Sequence, residues 1–194
     1  MNITQIFLIS ALVLFAIALI VILLKARRYK THMEGLAKAV DGTAEVLSSL
    51  RARIYLLHAI HNKYKYRCSF TPAKNNPSEF AISLYGSFPA GLSIGKRKKS
   101  GRAAAKAGGS EEIQTGDADF DKLFIVRLRQ GHSVRNYLEA QPRRTLISKL
   151  LNREDASLFS EGASVRVIFK GLELKDVDFN ILREYLDQMT ALAI

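Results

Sequence analysis

Nineteen residues near the N-terminus, IFLISALVLFAIALIVILL at positions 6–24, decide where this chain resides. Ser10 is the single polar member of this apolar run. A helix of this length extends about 28 Å, which matches a hydrocarbon core of about 30 Å, and it has no polar face to turn toward water. The run therefore predicts a transmembrane helix over residues 6–24, with residues 1–5 as a short segment ahead of it.

The charges on either side of the run predict its direction. Residues 1–5 carry no charged side chain, whereas four basic residues follow the run. Basic residues accumulate on the cytoplasmic side of a membrane helix, and a cleaved signal peptide would carry them before the run. We therefore expect a single-pass protein of the cell (inner) membrane, with its N-terminus outside and its C-terminal domain in the cytoplasm. The four basic residues are Lys25, Arg27, Arg28 and Lys30.

A heptad pattern follows the run and predicts a helical stalk over residues 25–62. Its positions are spaced alternately by three and four residues, as in the a and d seam of a coiled coil. Two interpretations stay open: the helices of identical copies pair, or the stripe packs on the chain's own domain. In the first, the apolar seam residues mediate oligomerisation. These residues are Met33, Leu36, Val40, Leu47, Leu50, Ile54 and Leu57.

The remaining chain, residues 64–194, is predicted to be an α+β domain. Alternating apolar residues indicate strands, and 3.6-residue periodicity after Pro142 and Asp178 indicates helices. Ser133 is expected to cap a further short helix. We expect an antiparallel sheet of four to six strands covered by two or three helices. The predicted strands lie at 80–85, 92–94, 124–129, 157–159 and 165–170.

The segment TGDADFDKLFIV at positions 115–126 resembles a TGDxxFDxxFxV-like segment of uncharacterised bacterial membrane-anchored proteins. In that family a short helix, a leucine-rich helix and a β-hairpin follow. Here Val134-Arg135, residues 146–151 and residues 162–169 stand in the same order. The resemblance covers roughly residues 80–190. It implies a membrane-tethered domain and supplies no catalytic residue.

The residue types that carry chemistry form no recognisable catalytic set. Asp117, Asp119 and Asp121 alternate, which is compatible with a cation site, but a turn whose Asp bonds nearby backbone N–H groups is the preferred interpretation. The single cysteine, Cys68, excludes an intramolecular disulfide and is interpreted as a buried apolar residue. We therefore assign no catalytic, metal or cofactor-binding residue, and we expect no enzyme and no cofactor.

The net charge of +11 includes a basic segment in the domain. Residues 96–106 hold six basic side chains within a mobile loop predicted over 96–109. Anionic lipid is its favoured partner, and nucleic acid is a further option, although aromatic side chains for base stacking are absent from it. With the four residues after the run, the predicted anion-binding and lipid-binding set adds Lys96, Arg97, Lys98, Lys99, Arg102 and Lys106.

These observations favour a structural or interaction protein at the membrane. We expect it to be a homo-oligomer joined through its stalk, with other proteins of a membrane complex as further partners. Two alternatives stay open: a membrane-tethered module that binds nucleic acid or anionic lipid, and an enzyme without a recognisable motif.

Overall fold

The computed structural model describes residues 2–48, 53–97, 110–129, 134–153 and 155–193. A long helix, α1, comes first, and a mixed α+β domain follows it. The apolar part of α1 is long and apolar enough to cross a membrane, and none of it is buried within the protein. The helices are α1 Ile3–Ala39, α2 Ala118–Leu123, α3 Arg135–Glu139, α4 Gln141–Leu150 and α5 Phe179–Thr190, with a 3-10 turn at Leu174–Asp176.

The described part of the domain contains one antiparallel sheet of nine strands, in the order β1-β2-β3-β4-β9-β8-β5-β7-β6. The first four strands form a meander, and the β8–β9 hairpin lies between β4 and β5. The strands are β1 Thr43–Ser48, β2 Arg53–His61, β3 Tyr64–Thr71, β4 Glu79–Tyr85, β5 Ala90–Lys96, β6 Ser110–Ile113, β7 Phe124–Arg129, β8 Ala156–Glu161 and β9 Ser164–Lys170.

One face of the sheet carries the core and is covered by helices. The C-terminal part of α1 packs on β2 and β3, and α5 packs on β9 through Tyr185, whose ring lies 4.7 Å from that of Phe169. Because alternate residues of a strand point to opposite faces, the covered face collects the apolar members of each strand. Its fully buried members include Tyr55, Leu57, Tyr66, Cys68, Phe70, Phe80, Ile82, Leu84, Ile94, Val126, Val167 and Phe169.

The opposite face of the sheet, called the open face below, is more polar and more exposed. Register places one row across five of its strands, from Arg67 through Ser83, Arg166 and Phe159 to Ser93. Phe159 is 38% exposed there. Arg67, Arg166 and Ser93 of this row are half-buried, and Ser83 is buried.

The predictions for residues 80–190 agree with this architecture. The five predicted strands are β4, β5, β7, β8 and β9, and the predicted helices after Pro142 and Asp178 are α4 and α5. Pro142 lies in the first turn of α4, and the Asp178 carboxylate accepts a hydrogen bond from the Ile181 N–H at the start of α5. Ser133, the predicted cap of α3, lies outside the described residues. The sheet is larger than the predicted four to six strands.

The predicted helical stalk over residues 25–62 is wrong beyond Ala39. There α1 stops, because Asp41 adopts a left-handed conformation (φ 51°) and the Gly42 N–H turns back to the Ala37 carbonyl at 2.8 Å. The chain then forms β1 and β2, so the domain begins well before Tyr64.

The residues of the predicted oligomerisation seam do not form one helical stripe, for the same reason. Met33 and Leu36 are buried in the chain's own core, and Val40 packs against it. Ile54 and Leu57 are three residues apart on a strand and therefore point to opposite faces. Leu47 is exposed on the edge strand β1, and Leu50 lies outside the described residues.

Candidate functional site: the junction between the apolar helix and the sheet

Three aromatic rings pack together where α1 meets the sheet. The Tyr29 ring centroid lies 5.6 Å from that of Tyr55 and 5.1 Å from that of Phe70. The Tyr55 hydroxyl donates a hydrogen bond of 3.4 Å to the Ala26 carbonyl. Partial burial raises the pKa of Tyr29, and the carboxylate of Glu173 raises it further, so the ring stays neutral. The sheet therefore contacts α1 only two residues after the apolar run ends.

The next turns of α1 lie within the core. His32 Nε2 lies 2.8 Å from the Val177 carbonyl, which accepts a hydrogen bond from the tautomer protonated at that nitrogen. Met33, Leu36 and Ala37 are buried against the sheet. Gly42 closes the junction: a Cβ there would lie 2.6 Å from the His58 carbonyl oxygen. The helix is thus fixed to the sheet at both ends of its buried segment.

The strands β2 and β3 run alongside α1. Tyr29 meets Tyr55 at one end, and Val40 and Gly42 meet Ala59 at the other. From residue 29 to 39 the helix rises about 15 Å, and from residue 55 to 59 the strand extends about 13 Å. Because these lengths agree, the start of β2 and the end of β3 point toward the apolar run.

The TGDADFD segment is a local structural unit at some distance from α1. The Asp117 carboxylate accepts hydrogen bonds from the N–H groups of Asp119 and Phe120 and caps α2, as the turn interpretation predicted. The hydrogen bond from Phe120 and the nearby Arg144 guanidinium hold the pKa of Asp117 below its ordinary value. Asp121 accepts bonds from the backbone and hydroxyl of Thr115.

Arg144 ties this unit to the helices that follow. It donates to Asp117 Oδ2 at 3.0 Å and to the carbonyls of Leu138 and Glu139 at 2.6 and 2.7 Å. One guanidinium thereby joins the α2 cap to the end of α3, using the fork geometry that suits several oxygen acceptors. Both groups of partners are parts of the fold, so this arrangement positions α2 and α3 relative to α4.

The predicted anion-binding residues divide between two places. Lys25, Arg27, Arg28 and Lys30 are exposed on α1 directly after the apolar run. Lys30 also lies 3.7 Å from Glu34. The predicted loop begins at the end of β5, five strands away from β2 in the sheet.

The described part of that loop is engaged with the protein. Lys96 donates to the Asn152 carbonyl, and the Arg97 guanidinium lies 2.7 Å from the Glu112 carboxylate. Lys98, Lys99, Arg102 and Lys106 lie outside the described residues. The structure therefore does not place Lys96 and Arg97 beside the basic residues of α1, and it offers both of them partners within the chain.

Other reactive groups are paired or enclosed. His58 lies 3.2 Å from Glu45, and His61 lies 2.7 Å from Asp187. Cys68 is 1% exposed, and burial raises the pKa of its thiol. Across the described ranges, no three His, Cys, Asp or Glu side chains are grouped closely enough to hold a metal ion. A shallow groove of about 730 Å³ lies at the end of α1 remote from the apolar run.

Comparison with known proteins adds one structural relative. No family model matches the chain, and no curated protein sequence matches it. The crystal structure of the mycobacterial trehalose monomycolate transport factor A, TtfA, is similar to it, with a TM-score of 0.56. The match covers 84% of this chain and 92% of that chain at 8% sequence identity. At this identity the similarity concerns the fold alone.

Proposed function

We propose that this chain is a membrane-anchored, non-catalytic accessory protein whose domain is held at a fixed position against the cytoplasmic membrane surface to contact a membrane protein. The observation that carries the proposal is the continuity of α1. One unbroken helix includes the apolar run and the segment that packs into the core. A flexible linker would only keep a domain near the membrane. A continuous helix also fixes the height of the domain above the membrane and its orientation.

The junction is strong enough to maintain that orientation. Met33 and Leu36 are almost fully buried, and each contributes about 1.5–3 kcal/mol relative to exposure. The aromatic contacts of Tyr29 add about 0.5–1.5 kcal/mol for each ring pair. Detaching α1 from the sheet would expose all of these groups, so the domain cannot swing away from its anchor without losing part of its core.

The sequence supports a cytoplasmic location for the domain. The residues ahead of the apolar run are uncharged, whereas Lys25, Arg27, Arg28 and Lys30 follow it and are exposed. This asymmetry is typical of a helix whose C-terminal end lies in the cytoplasm.

The contact surface is proposed from the chain's own residues, because the structural relative, which is named a transport factor, shares the fold alone at 8% identity. The open face is the proposed contact surface, since one row combines the partly exposed Arg67 and Arg166 with the exposed Phe159. Arginine and aromatic residues are enriched in protein interfaces.

Site-specific photo-cross-linking in the cells that make this protein tests the proposal. A photoreactive residue replaces either Phe159 on the open face or Arg183 on α5, which is 64% exposed and lies on the helical side. We expect Phe159 to yield a discrete product with an integral membrane protein and Arg183 to yield none.

A flexible Gly-Ser segment inserted between Lys25 and Ala26 separates anchor from domain and should abolish the product. The same segment placed ahead of Asn2 leaves the junction intact and should have no effect. Equal yields from both positions, no product at all, or a product that survives the inner insertion would each contradict the proposed function.

A further inference from the structure

The end of the sheet nearest the apolar run lies at the depth of the lipid headgroups once α1 spans a membrane. Tyr29, which contacts Phe70, is about 7.5 Å along α1 from Leu24. The β3 strand continues past Phe70 toward the apolar run, and residues 72–78 connect it to β4. Two further extended residues cover about 6.6 Å, so this connection reaches the level of Leu24.

The 3-10 turn at Leu174–Asp176 lies beside the same part of α1. Glu173 is close enough to Tyr29 to raise its pKa, and the Val177 carbonyl meets His32. His32 is about 12 Å beyond Leu24, so the turn lies roughly 7.5–12 Å from the end of the apolar run. This distance is comparable to a Debye length of about 8–10 Å. A charge on this turn therefore still acts on the headgroups, although salt weakens its effect.

This end of the domain carries an exposed basic set, called the headgroup rim below. Arg53 begins β2, Lys74 lies in the β3–β4 connection, Lys170 ends β9 and Lys175 lies in the 3-10 turn. All four side chains are exposed. They come from four separate elements that only the fold brings together. Sequence patterns alone could therefore not group them.

The acidic residues at this end are largely engaged within the protein. Glu79 lies 3.2 Å from the Arg166 guanidinium, and Glu173 accepts a hydrogen bond of 3.1 Å from Ser78. The hydrogen bond from Ser78 leaves the negative charge of Glu173 in place. Glu173, the exposed Asp176 and the exposed Asp155, whose carbonyl accepts from the Lys170 N–H, therefore offset three positive charges. The headgroup rim keeps one net positive charge, to which the exposed basic residues of α1 add.

The basic residues of α1 extend the same surface. Lys25 lies four residues before Tyr29 and so occupies the same side of the helix, one turn closer to the apolar run. It therefore lies on the side of α1 that meets the sheet. Anchor and domain together present one basic surface toward the membrane rather than two separate patches.

We propose that the headgroup rim, formed by Arg53, Lys74, Lys170 and Lys175, binds anionic phospholipid headgroups and sets the tilt of the domain on the membrane. The proposal rests on the anchoring role proposed for α1. Each basic residue near an anionic bilayer strengthens binding about fivefold, and the anchor raises the local lipid concentration further. The rim is a lipid contact separate from the one predicted for residues 96–109; the end of β5, where that predicted loop begins, lies at the same end of the sheet.

The test uses the full chain in lipid nanodiscs, with a fluorophore on a cysteine introduced at Asn75 or, at the opposite end of the sheet, at Glu161. Both positions are exposed, whereas Cys68 is buried and labels little. The lipids carry a quencher on their headgroups. With anionic phosphatidylglycerol present we expect strong quenching at Asn75 and weak quenching at Glu161, and with phosphatidylcholine alone weak quenching at both.

Charge variants at the two ends of the sheet distinguish specific docking of the rim on lipid from an effect of net charge. The double variant K74E/K175E should reduce quenching at Asn75 to the level seen with neutral lipid, and Lys74→Gln should lower the docking constant about fivefold. The matched variant K63E/K65E changes two exposed residues at the remote end of the sheet and should keep the quenching. All variants remain anchored, so co-elution with the disc serves as the folding and insertion control.

The outcomes distinguish this inference from the function on which it rests. A chain that does not co-elute with the discs refutes the anchoring and the rim together. A chain that inserts but shows equal quenching at Asn75 in both lipids refutes the rim alone. Loss of quenching in K63E/K65E to the same degree as in K74E/K175E also refutes it, because the effect would then follow net charge.

Discussion

The two halves of α1 share one backbone geometry but have different surroundings. In residues 3–24 apolar side chains point in all directions, and large ones such as Leu14 and Phe15 are 67% and 71% exposed. In residues 25–39 the apolar side chains form one stripe, and this stripe is buried on the sheet. The surroundings of each half therefore follow from how its apolar residues are distributed around the helix rather than from its helicity.

The largest expected loss of stability follows from removing the aromatic contact at the start of the buried half. Phe70→Ala removes a ring that is fully buried and packed on Tyr29 and Tyr55, and it should lower the free energy of unfolding by about 4 kcal/mol. Urea unfolding in detergent, followed by near-UV circular dichroism, measures it. Phe159→Ala removes the same ring from an exposed site and should cost far less. An equal loss in both variants would show that the junction has no special weight.

A matched pair of leucine substitutions then compares how much each half of α1 contributes to the stability of the domain. Leu36→Ala leaves a cavity in the core and should lower the free energy of unfolding of the domain by about 3 kcal/mol. Leu14→Ala makes the same change in the apolar half, where no domain atom packs on the side chain, and should leave domain unfolding unchanged. Thermal unfolding of both in the same detergent decides. A similar shift in both would mean that the halves do not differ as described.

Two glycine substitutions test the position of α1 near the end of its buried half. Gly42→Ala brings a methyl group within 2.6 Å of the His58 carbonyl oxygen, so we expect a loss of about 2 kcal/mol from displacement of the backbone. Gly35→Ala meets no atom within 4 Å and should stabilise the helix by about 1 kcal/mol. Opposite shifts of the urea midpoint are the expected result. Shifts of the same sign would contradict the position assigned to the helix end.

The smallest effect lies away from α1 and tests whether the rest of the domain responds independently. The pKa of Asp117 is below its ordinary value of 3.8 in the folded chain, so the unfolded chain binds its proton more readily. This residue therefore stabilises the fold above the ordinary value, and its contribution is lost as the pH falls below about 5 and through the lowered pKa.

Asp117→Asn removes the charge and should reduce the acid sensitivity of unfolding, while the cap to α2 is retained in weakened form. Unfolding midpoints between about pH 3 and pH 7 measure it. If the variant keeps the full acid dependence of the parent chain, the Phe120 N–H and the Arg144 guanidinium do not stabilise the Asp117 carboxylate as described.

The elements that sequence analysis predicted correctly are those with a strong local pattern. In β9, Val165, Val167 and Phe169 alternate with less buried residues, and in α5 the spacing of Leu182, Leu186 and Met189 follows one helical face. Each pattern agrees with its tertiary environment, because one side of the element is buried and the other is exposed. Residues 80–190 consist mainly of such elements.

The failure over residues 40–61 has an identifiable cause. Leu47, Ile54 and Leu57 fit a heptad by spacing, although they belong to two strands. Asp41-Gly42 ends the helix, and the Asn62-Lys63 turn, with φ of 47° and 72°, joins β2 to β3 as a tight hairpin. The strict alternation of Tyr64, Tyr66, Cys68 and Phe70 was the signal that would have predicted β3.

The candidate site was predictable only in part. The basic residues after the apolar run follow from the sequence, whereas Arg53, Lys74 and Lys175 are far apart in the chain. Their grouping depends on the alignment of α1 with β2 and β3, which a local pattern does not contain. The short polar strand β6 was missed for a related reason: with two glutamates among its four residues it carries no apolar alternation.

Because α1 runs without a break from the apolar run into the core, it also fixes the rotation of the domain about the helix axis. Each residue of an α-helix turns the chain by about 100° and advances it about 1.5 Å. If α1 spans a membrane as proposed, the number of residues between Leu24 and Met33 sets the direction in which the open face points within the membrane plane. One residue more or fewer would swing that face by about a quarter of a full circle, at nearly unchanged height. The number of residues at this junction thus fixes the orientation of the open face. A partner embedded beside the anchor would contact that face at only one such number of residues.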